Sequence, residues 1–372
     1  MGVSLREELI WKIKSTPNRA ISFRQYMEIA LYHPRWGYYQ KETDKLGKSG
    51  DFFTNAHVGR LFGQVLSRFF GNWLDEYGSL TDWTIVEMGA GDGRIAEQFG
   101  QGLVEMGISP DKVSFYLVET SPYHQRLQKE RLFASPVNYQ LVHRLSDVPA
   151  SPFSFIYSNE LVDAFPVHRI KKEQGKLLEA YVTLSESKPY LRETWLPLPE
   201  DKWNRGKLGQ WLMQLNEGSE MALCLAARDW LREIADWMEQ GVLLTIDYGG
   251  LQEQLLQKQR TIRGFRGHQV CDEFYDTPGG MDLTYDVNFT HLIEWGLEAG
   301  LAPCQFLSQF QFLMNAGILN FLPAEPVRDP FGKEAKRIRA IKQLIHPETM
   351  GEVFRVLVQT KNLPLTKMNE RG

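Results

Sequence analysis

Apolar positions along the chain follow one period near the N-terminus and another from about residue 82. Over residues 4–15 and 22–32 they recur at helical spacing; Ser22 suits an N-cap, and the second run ends before His33-Pro34. Residues 33–54, rich in Gly, Lys and aromatics, read as an ordered loop. Helical period returns over 56–77, where Val58, Leu61, Phe62, Val65, Leu66, Phe69 and Phe70 share one broad face expected to be core. Then come short apolar runs: WTIVEM (83–88), SFYLVE (114–119), VNYQLV (137–142), FSFIYS (153–158) and GVLLTIDYG (241–249). Near-continuous apolar runs of this length are strands covered on both faces. Helices are expected over roughly 92–106 and from Pro122, a favoured first-turn residue. The alternation predicts an α/β, doubly wound, mostly parallel sheet, with 303–310 and 351–359 closing it as an antiparallel pair to make seven strands.

Residues 167–240 interrupt this rhythm. Their first half alternates as one or two antiparallel hairpins, and their second half is helical with Leu225, Trp230, Ile234 and Trp237 facing a core. A Gly/Arg-rich loop (260–282) and a helix over about 289–299 follow the fifth strand. The expected organisation is a helical N-terminal extension with a lid loop over 1–80, an α/β core over 81–166 and 241–372, and an inserted β/α substrate-side subdomain over 167–240.

Composition acts by exclusion. With 43% hydrophobic and 24% charged residues, the chain can build a substantial core, and its net charge of −4 supplies no general attraction for nucleic acid or anionic membrane. Cys224, Cys271 and Cys304 are too widely spaced for a disulfide framework or a zinc site, so no metal is expected. The N-terminus carries Glu7 and Glu8 and no apolar leader, and no run has the roughly 18 apolar residues of a membrane span. A cytoplasmic location is the resulting expectation.

Candidate chemistry gathers at the carboxyl ends of the predicted strands, where open α/β sheets bind ligands. The first strand runs into Glu87-Met88-Gly89-Ala90-Gly91-Asp92-Gly93. Glycines at alternate positions allow a tight turn and a close backbone approach to a ligand. Arg94 stands where a dinucleotide fingerprint requires its third glycine, which favours a cofactor without pyrophosphate. Glu119 ends the second strand; its carboxylate can accept both hydroxyls of a ribose, or can serve the start of the next helix. After the fourth strand, SNELVDAFP (158–166) groups Asn159, Glu160 and Asp163. Two carboxylates there can grip a guanidinium through paired hydrogen bonds, or complement a helix dipole.

Taken in order, GDFFTNAHVGRLFG (50–63), VEMGAGDGR (86–94), YLVETSP (116–122), SNELVDAFP (158–166), IDYGG (246–250), RGFRGH (263–268) and DLTYDVNF (282–289) resemble the MidA family, which includes a mitochondrial complex I assembly factor that methylates an arginine. GDFFT and NELVDAFP are specific to that family, whereas the glycine motif alone is generic. The resemblance implies a Rossmann-like methyltransferase using S-adenosyl-L-methionine. Gly89, Gly91 and Gly93 fall on its cofactor motif and Glu119 on its ribose position; Glu87, Asp51 and Thr54 are further cofactor-binding candidates, the last two in a lid hinged at Gly50. It implies a protein substrate, an arginine-bearing subunit of respiratory NADH dehydrogenase; for such an acceptor Glu160 and Asp163 are the candidates to hold the guanidinium and Asn159 to orient it, while Asp247, closing the fifth strand, is either a fourth member or a strand-end hydrogen-bond anchor. In RGFRGH, His268 is a candidate catalytic residue or a structural or surface one, and Arg263 and Arg266 are candidates for contacts to the cofactor carboxylate or an acidic partner surface. The chain departs from the family's pattern at Ala90 and Asp92, usually Pro and Arg, and at Gln64, often Glu. Two other readings stay open: a non-catalytic assembly or interaction factor retaining the fold, and a small-molecule methyltransferase.

Overall fold

A computed structural model describes residues 4–42, 58, 60–77, 83–188, 190–199, 206–267 and 269–363. In chain order these form α1 (Leu5–Ser15), β1 (Ala20–Ser22), α2 (Phe23–Tyr32), α3 (Phe62–Tyr77), β2 (Trp83–Met88), α4 (Arg94–Glu105), β3 (Val113–Val118), α5 (Pro122–Leu132), β4 (Tyr139–Val142) and β5 (Phe153–Asn159). There follow β6 (His168–Glu173), β7 (Lys176–Leu184), β8 (Leu191–Pro197), β9 (Glu220–Leu223), the helix Leu225–Trp237 and β10 (Gln240–Gly250). β11 (Ile262–Arg266), β12 (Gln269–Cys271), β13 (Asp282–Tyr285), β14 (Val287–Asn288), the helix Phe289–Ala299, β15 (Ala302–Ser308), the helix Lys333–Ile345 and β16 (Phe354–Lys361) come next, and shorter helices lie at Gly206–Met213, Gln252–Leu255 and Gln309–Asn315.

The main sheet runs β4-β3-β2-β5-β10-β16-β15, with β14 attached beside β10 as an eighth strand. The first five strands are mutually parallel, while β16 runs antiparallel to both β10 and β15. Every residue of β2 is buried, the physical reason its sequence shows no polar alternation. Val86, Tyr116 and Ile156 pack on one face with Leu231 and Phe289 from covering helices. Ile85, Phe115 and Phe155 pack on the other with Phe62 and Phe99 of α3 and α4.

The α3–α4 contact depends on Gly63. A Cβ there would lie 2.4 Å from the Ile95 carbonyl oxygen and 2.6 Å from Gln98 Cβ, and the Gly63 N–H donates to Gln98 Oε1 at 3.0 Å. Forcing apart helices this close costs about 1–3 kcal/mol or more. Gly63→Ala is therefore expected to lower the urea midpoint by a matching amount; an unchanged midpoint would show that the helices separate freely.

Three short features differ from expectation. The N-terminal segment is not purely helical: β1 pairs with β7 (Ala20↔Thr183, Ile21↔Val182, Ser22↔Tyr181) and joins the inserted sheet of β6, β7, β8 and β9. β9 interrupts the stretch read as helical, and β11, β12 and β13 form a three-stranded antiparallel sheet where a loop was expected. β1 and β9 span too few residues for alternation to register. Gly264 disguises β11, although its Cβ position is already crowded by the Cys271 carbonyl oxygen at 2.7 Å.

Candidate active site

The turn after β2 runs on left-handed backbone, with φ of 68° at Gly89, 52° at Gly91 and 77° at Gly93. Side chains rarely tolerate this region, so the alternate glycines are what let the turn close. The N–H groups of Gly89 and Ala90 donate to the Val118 carbonyl at 2.9 and 3.2 Å, fastening the turn to the end of β3. Beside it lies Glu119, 8% exposed, whose Oε2 accepts from Gly91 N–H at 2.9 Å and whose Oε1 accepts from Ser121 N–H at 2.7 Å. Asp92, the departure from the family motif, accepts from the Arg131 guanidinium at 2.7 Å and from Arg94 at 3.2 Å. Its charge is thereby neutralised inside the turn.

These groups wall a cavity of about 550 Å³ at the carboxyl ends of the strands. Glu87, Gly89, Gly91, Glu119, Asn159 and Glu160 all line it, whereas Gly93 and Asp163 do not. Asp51, Thr54 and His268 lie outside the described residues.

Glu160 adopts φ 53°, unusual for a residue with a side chain, and its N–H donates to the Ile246 carbonyl at 2.9 Å. Such strain persists where surrounding structure over-determines it, most often at functional sites. Asn159 Nδ2 donates to Glu160 Oε1 at 3.0 Å. The expectation that Asp163 faces the substrate is corrected by its position. It is turned beneath the cavity wall, with Oδ2 accepting from Thr284 Oγ1 at 2.7 Å and from the Tyr248 hydroxyl, and burial raises its carboxyl above the usual range. Asp247, left open between substrate contact and strand-end anchor, is an anchor: its carboxylate accepts from Val162 N–H at 3.0 Å, Asp163 N–H at 3.2 Å and Tyr248 N–H at 2.9 Å. Arg263, a candidate for a cofactor or partner contact, is instead paired with Asp286 at 2.7 Å. Arg266 donates to Thr277, and neither arginine lines the cavity.

Sequence reasoning missed the aromatic wall. Tyr32 and Tyr39 line the cavity; the Tyr32 hydroxyl donates to the Ala164 carbonyl at 2.8 Å and the Tyr39 hydroxyl to Asp282 Oδ1 at 2.7 Å. The concentration of aromatics in 32–39 was the available signal. Trp230, expected to face a core, also reaches the wall.

Burial pushes the Glu87 carboxyl up to about 8 against the restraint of a hydrogen bond from the Tyr157 hydroxyl at 2.9 Å. The folded chain therefore holds a proton between its ordinary value of 4.5 and about 8 that the unfolded chain releases, so this contribution to stability falls as pH rises through that window. Glu87→Gln has no such proton. Relative to the parent it is expected to gain roughly 3–5 kcal/mol between pH 5 and pH 9. Urea titrations at both pH values test this, and a pH-independent difference refutes it.

A family model described as S-adenosyl-L-methionine-dependent methyltransferase matches residues 65–307. The chain is 28% identical over 405 residues to "Protein arginine methyltransferase NDUFAF7, mitochondrial" of Xenopus laevis, covering 98% of this chain and 87% of that one. Against the Homo sapiens protein of the same name it is 28% identical, with 93% and 81% covered. A Burkholderia thailandensis crystal structure bound to S-adenosyl-homocysteine superposes with TM-score 0.86 at 26% identity, covering 98% of this chain and 94% of that one. The relatives are mitochondrial, which overturns the cytoplasmic expectation. That expectation rested on lacking a leader, and such an absence fixes no compartment. No helix among the described residues is long and apolar enough to cross a membrane. The parallel sheet, the crevice at its carboxyl rim and the matched model lead to one assignment: the chain belongs to the MidA-type family of S-adenosyl-L-methionine-dependent methyltransferases.

Proposed function

We propose that this methyltransferase modifies a protein arginine, the acceptor being carried by a subunit of respiratory NADH dehydrogenase. The observation that carries the reading is the placement of Glu160 and Asn159 on the same cavity wall as the glycine turn and Glu119. The relatives' names, protein arginine methyltransferase, support the acceptor chemistry.

The wall fits the cofactor. Glu119 spends two acceptor positions on backbone N–H groups, and a carboxylate offers about four, so others remain for ribose hydroxyls. The turn after β2 puts backbone rather than side chains against the place where the cofactor's methionine end would lie. When bound, S-adenosyl-L-methionine supplies an activated methyl group on a sulfonium. The chain's own residues then bind and orient. Glu160 pairs with the guanidinium and localises its positive charge away from the nitrogen that accepts the methyl. The Asn159 amide is oriented by its bond to Glu160 and orients the acceptor beside it. Asp247 acts as a positioning residue by pinning the 162–163 backbone. Orientation of this kind can supply on the order of 7–11 kcal/mol of a transfer barrier.

Incubation with methyl-labelled cofactor and a cell lysate, followed by mass spectrometry, tests the proposal. Label on a protein arginine is the expected result. Label confined to small molecules would establish the small-molecule reading, and no label at all the non-catalytic one.

A further inference from the structure

A second hollow of about 730 Å³ lies beside the cofactor cavity, bounded by the start of α2, strands β6 and β7, and the helix Leu225–Trp237. The two spaces adjoin: Arg24, Phe165, Ala226, Trp230 and Glu233 belong to the walls of both. Phe165 and Trp230 meet edge to face, with centroids 6.0 Å apart, and make the threshold between them. On the floor, Glu179 is buried and accepts from the Tyr181 hydroxyl at 3.4 Å while lying 2.6 Å from His168 Nδ1.

We propose that this hollow seats the protein segment on either side of the acceptor arginine, whose side chain crosses the Phe165–Trp230 threshold past Glu233 into the cofactor cavity. The inference rests on the arginine-acceptor reading and extends it to a place and a specificity. Two arguments fix the occupant as cationic. The cations on these walls already have partners, Arg24 with Glu28 at 3.4 Å and Arg228 with Asp229 at 3.3 Å, whereas Glu233 carries none among the described residues. A guanidinium passing the indole and phenyl rings also gains their attraction for cations. Adjacency supplies the rest: an acceptor must reach the cofactor cavity from a space beside it, and this hollow shares with that cavity the wall that carries Glu233 and the two rings.

The test uses a fluorescein-labelled peptide with one arginine between lysines and two variants, Glu233→Lys on the exposed helix surface and Tyr181→Arg on the floor. Calorimetry of cofactor binding checks that each keeps its fold. Both are expected to raise the peptide's KM about tenfold, with kcat within about twofold and cofactor affinity unchanged. If the parent methylates the peptide and neither variant alters its KM, the inference is overturned. Fluorescence anisotropy with S-adenosyl-homocysteine present separates this failure from that of the arginine reading. A parent that binds the peptide without methylating it refutes arginine transfer; the hollow is then upheld if both variants weaken that binding and overturned if neither does. A parent that neither binds nor methylates the peptide overturns the hollow as its seat.

Discussion

Glu160→Gln is expected to slow methyl transfer by about 10²- to 10³-fold while S-adenosyl-L-methionine binds within about twofold of the parent. The substitution keeps the size and backbone of the residue, including its left-handed φ of 53°, and removes the charge together with one acceptor oxygen. In the proposed role that charge acts on the acceptor, where it holds positive charge on the guanidinium nitrogens that do not react. Charge-assisted hydrogen bonds are roughly twice as strong as neutral ones, so an amide in its place loses the part of the interaction that grows toward the transition state. Single-turnover measurement with saturating cofactor separates the step from binding. A variant that transfers at the parental rate would remove Glu160 from the chemistry and leave its strain without a functional account.

Glu119→Ala is expected to weaken cofactor binding by about 10²-fold or more, since each hydrogen bond to a charged group contributes roughly 1.5–3 kcal/mol and two ribose hydroxyls are at stake. A second effect adds to the first. The carboxylate also holds Gly91 N–H and Ser121 N–H, so its removal frees the glycine turn and the first turn of α5. Glu119→Gln, which can still accept from one of these groups, should fall between parent and alanine. Isothermal titration reads the affinities directly. Near-parental binding by the alanine variant would mean that the ribose is held elsewhere.

The strands were legible because parallel strands covered on both faces leave unbroken apolar runs; WTIVEM shows this at every position. Side-chain direction at the strand ends was not legible. Alternation stops where the strand stops, and the left-handed Glu160 redirects the chain so that Glu160 meets the cavity while Asp163, three residues on, meets Tyr248 and Thr284. Nothing in the local pattern of SNELVDAFP distinguishes those two carboxylates. The same limit hid Tyr32 and Tyr39, whose place in the wall depends on contacts with Ala164 and Asp282, far along the chain. The glycine turn and Glu119 could be read early because their chemistry is local to two adjacent strand ends.

The pairing of Ala20–Ser22 with Tyr181–Thr183 has a bearing on how the molecule is made. Residues separated by some 160 positions must find each other before α2, which contributes Arg24, Glu28 and Tyr32 to the cavity wall, gains its neighbouring strand. Contacts of such long sequence separation form late and slowly. During synthesis the first helices therefore leave the ribosome without their docking sheet, and ligand recognition waits until the inserted segment has emerged and closed over them.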